Sequence, residues 1–318
     1  ARQVGKSTLL RHAEPFRHWA YRTLDDHDTL RQALEQPRSL WKGERSLVLD
    51  EVQRAPQLLS AVKQAVDEDR DRRFVLSGSA NLLLMQQISE SLAGRAVYFV
   101  LDPLTWGELE GREPPRLIDD VLAGPWPVPD EPAGPAVDPL PLLLRGFMPA
   151  LMGLATRADH LRWWSGYVAT YLERDLRQLS RIDSLLDFRR LMELLALRSG
   201  ALLNQADLAR DAGLSQPTAH RYINLLETTH LFQRLPAYAA ARGARVIKAP
   251  RVMWTDPALP VFLAGYFDLD ALAAARELGG FFECLVHLHL RVAAGLLSPP
   301  GSLTYWRTRT GQEVDFVL

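Results

Sequence analysis

Hydrophobic positions in the first hundred residues fall into short apolar runs separated by longer amphipathic stretches. The runs near 20–24, 46–50, 73–77 and 96–101 have strand length. Ser46-Leu-Val-Leu-Asp50 is apolar at consecutive positions, as expected of a strand buried on both faces of a parallel sheet. Helical spacing near 7–13, 28–36, 55–68 and 82–92 fills the intervals. This alternation predicts an α/β fold, an open and mostly parallel sheet with helices on both faces. Past residue 101 the pattern changes. A proline-rich stretch over 102–140 precedes a helical region over 141–260, in which Trp163–Leu176 reads as an amphipathic helix. The remainder, 261–318, reads as one helix from Leu278 to Leu297. A hairpin of Leu303–Arg307 with Glu313–Leu318, turning at Thr310-Gly311, follows it.

Polar residues at the ends of these runs carry the chemistry. Ala1-Arg-Gln-Val-Gly-Lys-Ser-Thr8 fits the Walker A pattern if a glycine preceded Ala1. The chain is therefore expected to begin inside its own phosphate-binding loop and to lack the first strand of its sheet. Val4 and Gly5 would bring backbone amides to the phosphates, and Lys6 would reach the β- and γ-phosphates. Ser7 would bind Mg²⁺, and Thr8 would sit where the helix starts. Asp50 and Glu51 end the second strand, where the first acid would hold the Mg²⁺ water shell and the second would polarise the attacking water. Chance occurrences of each motif are common, but a carboxylate pair forty-odd residues after a Walker A is explained only by the paired reading. At the tip of the third strand, Ser77, Ser79 or Asn81 is placed either to sense the γ-phosphate or to cap a turn into the helix of Leu82–Met85.

Composition narrows the classes. Apolar residues make up 47 % and charged residues 24 % of the 318, ordinary for a globular chain. No apolar run approaches the roughly 20 residues of a membrane helix. The single cysteine, Cys284, cannot form an internal disulfide, which fits a reducing cytoplasm. The net charge of −1 is unevenly spread. Residues 102–139 hold nine acidic and two basic side chains with nine prolines, whereas 160–251 hold fourteen basic and eight acidic ones. The first reads as a linker or surface excursion, the second as a module that suits an anionic partner.

Within that basic module, Leu202–Glu227 has the cadence of a helix-turn-helix. Leu208 and Ala209 pack the first helix, Gly213 makes the turn, Ser215 caps the second helix and Pro217 sits in its first turn. With Tyr222, Leu225 and Leu226 inward, the exposed set is Gln216, Thr218, His220, Arg221 and Asn224, residue types that read base edges. Two strands near Leu231–Leu235 and Ala244–Ile247, joined by a loop with Arg242 and Arg245, would complete a winged helix. Duplex DNA is one partner for it. Use of the fold for protein packing, self-association or as an ATPase lid is the other reading. At the end of the chain, a helix carboxylate (Glu283) followed by a strand carboxylate (Asp315) suits a divalent metal, but the fold also suits a plain docking element. His287 and His289, two apart on a helix, face different ways and make a poor ligand pair.

The motifs Gln3-Val-Gly-Lys-Ser-Thr8, Leu49-Asp-Glu-Val-Gln53 and Ser89-Glu-Ser-Leu-Ala-Gly-Arg95 together resemble uncharacterised prokaryotic AAA-family ATP-binding proteins with a C-terminal domain of unknown function. Leu144-Arg-Gly146, Tyr171-Leu-Glu-Arg-Asp-Leu176, Phe281-Phe-Glu283 and Glu313-Val-Asp315 extend the resemblance over nearly the whole chain. It implies an AAA-type P-loop domain, a winged helix and a PD-(D/E)xK nuclease-like fragment whose acid-x-Lys strand would lie beyond Leu318. It also implies ATP and Mg²⁺ as ligands, with Lys6, Ser7, Asp50 and Glu51 in the roles above. Arg95 lies at the family's Gly-Arg position, where charge stabilisation competes with a surface ion pair. The expected activity is Mg²⁺-dependent ATP hydrolysis coupled to the winged helix. A nucleotide-gated switch without turnover and an ATPase-regulated nuclease are the alternatives.

Overall fold

The computed structural model describes residues 3–78, 92–114, 117–124, 137–170, 182–238, 249–308 and 310–318. The chain forms two compact units, Ala1–Leu101 and Asp102–Leu318.

In the first unit, α1 (Lys6–His12), β1 (Ala20–Thr23), α2 (His27–Glu35), β2 (Ser46–Asp50), α3 (Leu58–Glu68) and β3 (Arg73–Leu76) follow one another as helix and strand in turn. The three strands lie in the order β1-β2-β3, all parallel. The central strand β2 buries Leu47, Val48, Leu49 and Asp50, which is why its sequence is an unbroken apolar run. Leu47 and Leu49 join Leu24, Trp41, Val52, Leu58, Leu59 and Val62 in one core, packed by α3 and the turn Pro37–Trp41. The expected strand over 96–101 does not form. Those residues pair with no strand among the described residues, and Val97 and Phe99 are 80 % and 90 % exposed. An apolar run has strand propensity, but only a neighbour that accepts its backbone hydrogen bonds makes it a strand. Most of the expected helix at 82–92 lies outside the described residues.

The second unit opens on α4 (Trp106–Leu109) and α5 (Leu117–Ala123), then α6 (Leu140–Arg145) and α7 (Arg157–Tyr167). Trp106 and Leu109 pack against the core of Leu143, Phe147, Val261, Phe281 and Leu288, so the start of the proline-rich stretch is anchored rather than a free linker. The Trp106 amide donates to His289 Nε2 (2.9 Å), while His289 Nδ1 donates to the Leu285 carbonyl (2.8 Å). That fixes the tautomer with its hydrogen on Nδ1. Asp102 pairs with Arg291 beside it.

Next come α8 (Leu185–Ala196), α9 (Gln205–Ala212) and α10 (Gln216–Thr228). The α9–α10 turn is made as expected: Gly213 adopts φ 68°, and Ser215 accepts a hydrogen bond from the Thr218 amide. Tyr222, Ile223 and Leu226 are buried, while Leu225 is only half-buried. The strand β4 (Phe232–Leu235) pairs antiparallel with β5 (Arg251–Trp254). The expected partner at Ala244–Ile247 lies outside the described residues, as do Arg242 and Arg245. The helices α11 (Ala258–Leu263), α12 (Leu269–Ala273) and α13 (Leu278–Leu296) lead to the hairpin β6 (Thr304–Arg307) and β7 (Glu313–Val317). This hairpin docks beside β4's continuation through Tyr305 N–H to Pro236 O (3.0 Å) and an Ala237–Tyr305 bridge.

Candidate functional site

The loop before α1 curls through two residues of positive φ, Gln3 at 63° and Gly5 at 87°. Gly5 tolerates this without a Cβ penalty. Val4 between them is buried and anchors the loop, Lys6 begins α1, and Thr8 is exposed on it. The next hydroxyl settles where the loop lies. Ser7 Oγ donates to Asp50 Oδ2 at 2.7 Å, joining the loop to the C-terminal end of β2.

Asp50 is the hub of this corner. Its Oδ2 also accepts from the Tyr21 hydroxyl on β1, and its Oδ1 accepts from the Glu51 amide at 3.1 Å. Burial works to raise its pKa. The hydrogen bonds from Tyr21, Ser7 and the Glu51 amide, together with the nearby Ser77 hydroxyl, prevail and hold the carboxyl below its usual range, so it is an anion. Tyr21 shifts the other way, raised by burial and by the neighbouring Asp50 charge. The Arg11 guanidinium lies 4.4 Å from the centroid of the Tyr21 ring. Glu51 takes φ 58°, ψ 40°, unusual for a residue with a side chain, at the head of the turn Val52–Arg54. Gln53 Nε2 donates to Glu51 Oε2, and Arg54 pairs with Asp25 at 2.9 Å. At the end of β3, Ser77 N–H donates to Leu49 O (2.9 Å) and Ser77 O accepts from Val52 N–H (3.0 Å). The Ser77 hydroxyl is buried close enough to Asp50 to help lower its pKa, but it makes no well-formed hydrogen bond among the described residues. Ser79 and Asn81 lie outside the described residues.

Arg95 is not part of this corner. It forms a two-pronged pair with Asp67, Nε to Oδ1 at 2.7 Å and Nη2 to Oδ2 at 3.3 Å. Asp67 is the second-last residue of α3, which runs back from the end of β2 toward the start of β3. That puts the pair about 14 Å along the helix axis from Leu58, near the end of α3 far from Glu51. The surface ion-pair alternative describes Arg95 in this structure.

Oxygen donors suit magnesium, and the Ser7 hydroxyl and the Asp50 carboxylate meet at one point. Ser77, just past the end of the adjacent strand, adds a buried hydroxyl beside Asp50. These residues fit a Mg²⁺–phosphate group. The family model described as an AAA domain matches residues 1–110. The N-terminal part of the chain is similar to an AAA domain. The curled loop and the Ser7–Asp50 bond both lie within the matched residues. A second model, a domain of unknown function (DUF8612), matches residues 140–270. The uncharacterized proteins Rv2008c of Mycobacterium tuberculosis and Mb2031c of Mycobacterium bovis are each 32 % identical over 320 residues, covering 100 % of this chain and 66 % of their own length. The chain thus spans just under two thirds of those relatives. No solved structure matches it, and among the described residues no helix is long and apolar enough to cross a membrane.

In the second unit the residues expected to face DNA lie together on α10, but they are bonded to one another and to neighbours. His220 bonds Gln205 (2.9 Å) and Asn224 (2.9 Å), Asn224 accepts from Arg234 (2.8 Å), and Arg221 pairs with Asp183 (2.6 Å). Gln216 is exposed and Thr218 half-buried. Residues 182–238 hold six arginines and six carboxylates, each arginine within 4.0 Å of an acid. The basic excess therefore resides elsewhere, much of it in Arg242, Arg245 and Lys248.

At the C-terminal hairpin, Glu283, Glu313 and Asp315 converge on one buried guanidinium. Arg251 Nη1 donates to Glu283 Oε2 and Asp315 Oδ1, both at 2.8 Å, and Nη2 donates to Glu313 Oε2 at 2.9 Å. Among the described residues no group of His, Cys, Asp and Glu is placed to hold a metal. The two carboxylates read from sequence as metal donors thus share an internal cation.

Sequence reasoning missed three of these residues. Tyr21 sits at an alternating position of β1 with no motif to mark it. Gln53 was visible only as part of Leu49–Gln53. Arg251 is a charged residue opening a strand that is buried throughout, and that clash of charge and burial was the available signal.

Proposed function

We propose that the protein is a Mg²⁺-dependent ATPase whose nucleotide state is coupled to the α9–α10 module, used as a winged helix. The bond that carries this reading is Ser7 Oγ to Asp50 Oδ2, which joins a curled Gly-Lys-Ser loop to a strand-end carboxylate. In this reading Lys6 binds the β- and γ-phosphate oxygens, and the loop amides around Val4 and Gly5 cradle them. Ser7 and Asp50 would hold the metal, which when bound neutralises phosphate charge. Glu51 orients a water in line with the γ-phosphorus, and Ser77 donates to a γ-phosphate oxygen as the bond to the ADP oxygen breaks. Duplex DNA is the proposed partner of α10, with Gln216, Thr218, His220, Arg221 and Asn224 toward base edges and Arg242 and Arg245 on phosphates. The exposed pairs on α10 open at little cost, so they do not bar that contact.

The test uses the full-length protein. Glu51→Gln should retain ATP binding by calorimetry and lose turnover by at least a hundredfold, whereas persistent hydrolysis removes Glu51 from its role. Adding duplex DNA should change the wild-type turnover rate. An unchanged rate, with no mobility shift in low salt, counts against the DNA partner and leaves the ATPase reading standing.

A further inference from the structure

Gln53 has no role in the chemistry so far, yet its amide is arranged in an unusual way. Its Nε2 donates to Glu51 Oε2. Its Oε1 is buried and, among the described residues, accepts no hydrogen bond. A carboxylate at this point only accepts, so the –NH₂ side must face Glu51 and the carbonyl side is left alone. A buried unpaired carbonyl is unfavourable, and an apolar side chain of similar length would avoid it. The corner itself does not need the amide. Val52 N–H bonds Ser77 O, Arg54 N–H bonds Glu51 O at 3.1 Å, and Arg54 pairs with Asp25, so the turn is fastened without Gln53. Glu51, by contrast, needs a hold. Its backbone is in the left-handed region, and among the described residues its carboxylate takes a side-chain hydrogen bond from Gln53.

We propose that Gln53 is a positioning residue that aims the Glu51 carboxylate. Its donor is retained at the expense of an orphaned acceptor because a fixed carboxylate orients water better than one free to rotate. The inference rests on the ATPase reading and on Glu51 as the water-orienting acid. In this role Gln53 acts through Glu51.

Three variants of the full-length protein test this. Gln53→Met keeps length and removes both polar atoms. It should lower kcat at least tenfold, leave the ATP dissociation constant within twofold, and leave the thermal midpoint unchanged or raised. Gln53→His, whose ring nitrogen can donate at similar reach, should recover part of the lost turnover. A Gln53→Met protein turning over within twofold of wild type overturns the proposal, and so does equal loss in the Met and His variants. Glu51→Gln separates the two levels. If it keeps turnover, the acid assignment fails and the role of Gln53 falls with it. If it loses turnover while Gln53→Met does not, only the positioning role fails.

Discussion

Arg251 carries a charge into the interior of the second unit, and three carboxylates meet it there. The guanidinium is 4 % exposed and lies 5.2 Å from the Tyr305 ring centroid, so it has little access to water. Glu283 is the most enclosed of its partners. Burial outweighs the attraction of Arg251, and with the nearby Asp315 and Glu313 charges it pushes the Glu283 carboxyl up to about 7. Removing the cation leaves this acid without its counter-charge, while Glu313 and Asp315 can turn toward solvent. Arg251→Met should therefore destabilise the protein by roughly 2–3 kcal/mol at pH 8, toward the low side of a broken buried pair. The penalty should shrink at pH 6, where Glu283 takes up a proton. Urea unfolding at both pH values measures this, and an equal penalty at each would show that Arg251 acts by packing alone.

Two elements come into close contact where α13 crosses the turn after α8. A Cβ on Gly280 would stand 2.0 Å from Ser199 O, whereas one on Gly279 would meet nothing within 4 Å. Gly280→Ala should cost about 1–3 kcal/mol, since the helix must back away from the turn. Gly279→Ala should be neutral or add up to about 1 kcal/mol through helix propensity. Thermal melts of the two alanine variants decide it, and similar midpoints would mean that α13 is not held by this contact. The same elements mark how far sequence reached. The α/β alternation, the strand Ser46–Asp50, the turn at Gly213 with its Ser215 cap and the C-terminal hairpin were legible, because each is set by local periodicity or by one residue's backbone preference. The strand over 96–101 was misread because pairing is a property of two segments, and only one was judged. In the corner around Asp50, the Gly-Lys-Ser and Asp-Glu residues were legible from spacing. Tyr21 and the Arg251 cluster were not, since both depend on which positions of separate strands come side by side.

At the scale of the molecule, buried ionisable groups in the second unit oppose one another as pH changes. Asp256 is fully enclosed and, despite hydrogen bonds from the Phe147 and Ala258 amides, burial lifts it to about 6, as it lifts Glu283 to about 7. Both acids bind a proton more tightly folded than unfolded. Their stabilisation is complete below about pH 4 and is lost as pH rises to 6 and 7. His287, stacked on Phe316 and buried, goes the other way. Burial, with the Arg291 charge, depresses it to about 3. Its contribution is complete above its unfolded value of 6.5 and is lost as pH falls, because the unfolded chain takes up the proton first. Each group changes stability by at most about 1.4 kcal/mol per pH unit. Between pH 5 and 6.5 the histidine therefore cancels much of what the two acids do, and the wild-type profile should be shallow there. Replacing it uncovers the acids. Relative to wild type, His287→Leu should gain about 2 kcal/mol on going from pH 7 to pH 5, whatever its absolute stability at pH 7. Every other titrating group is common to both proteins and drops out of that difference. Denaturation curves at the two pH values supply it, and a difference that stays constant would mean that His287 is protonated in the folded chain.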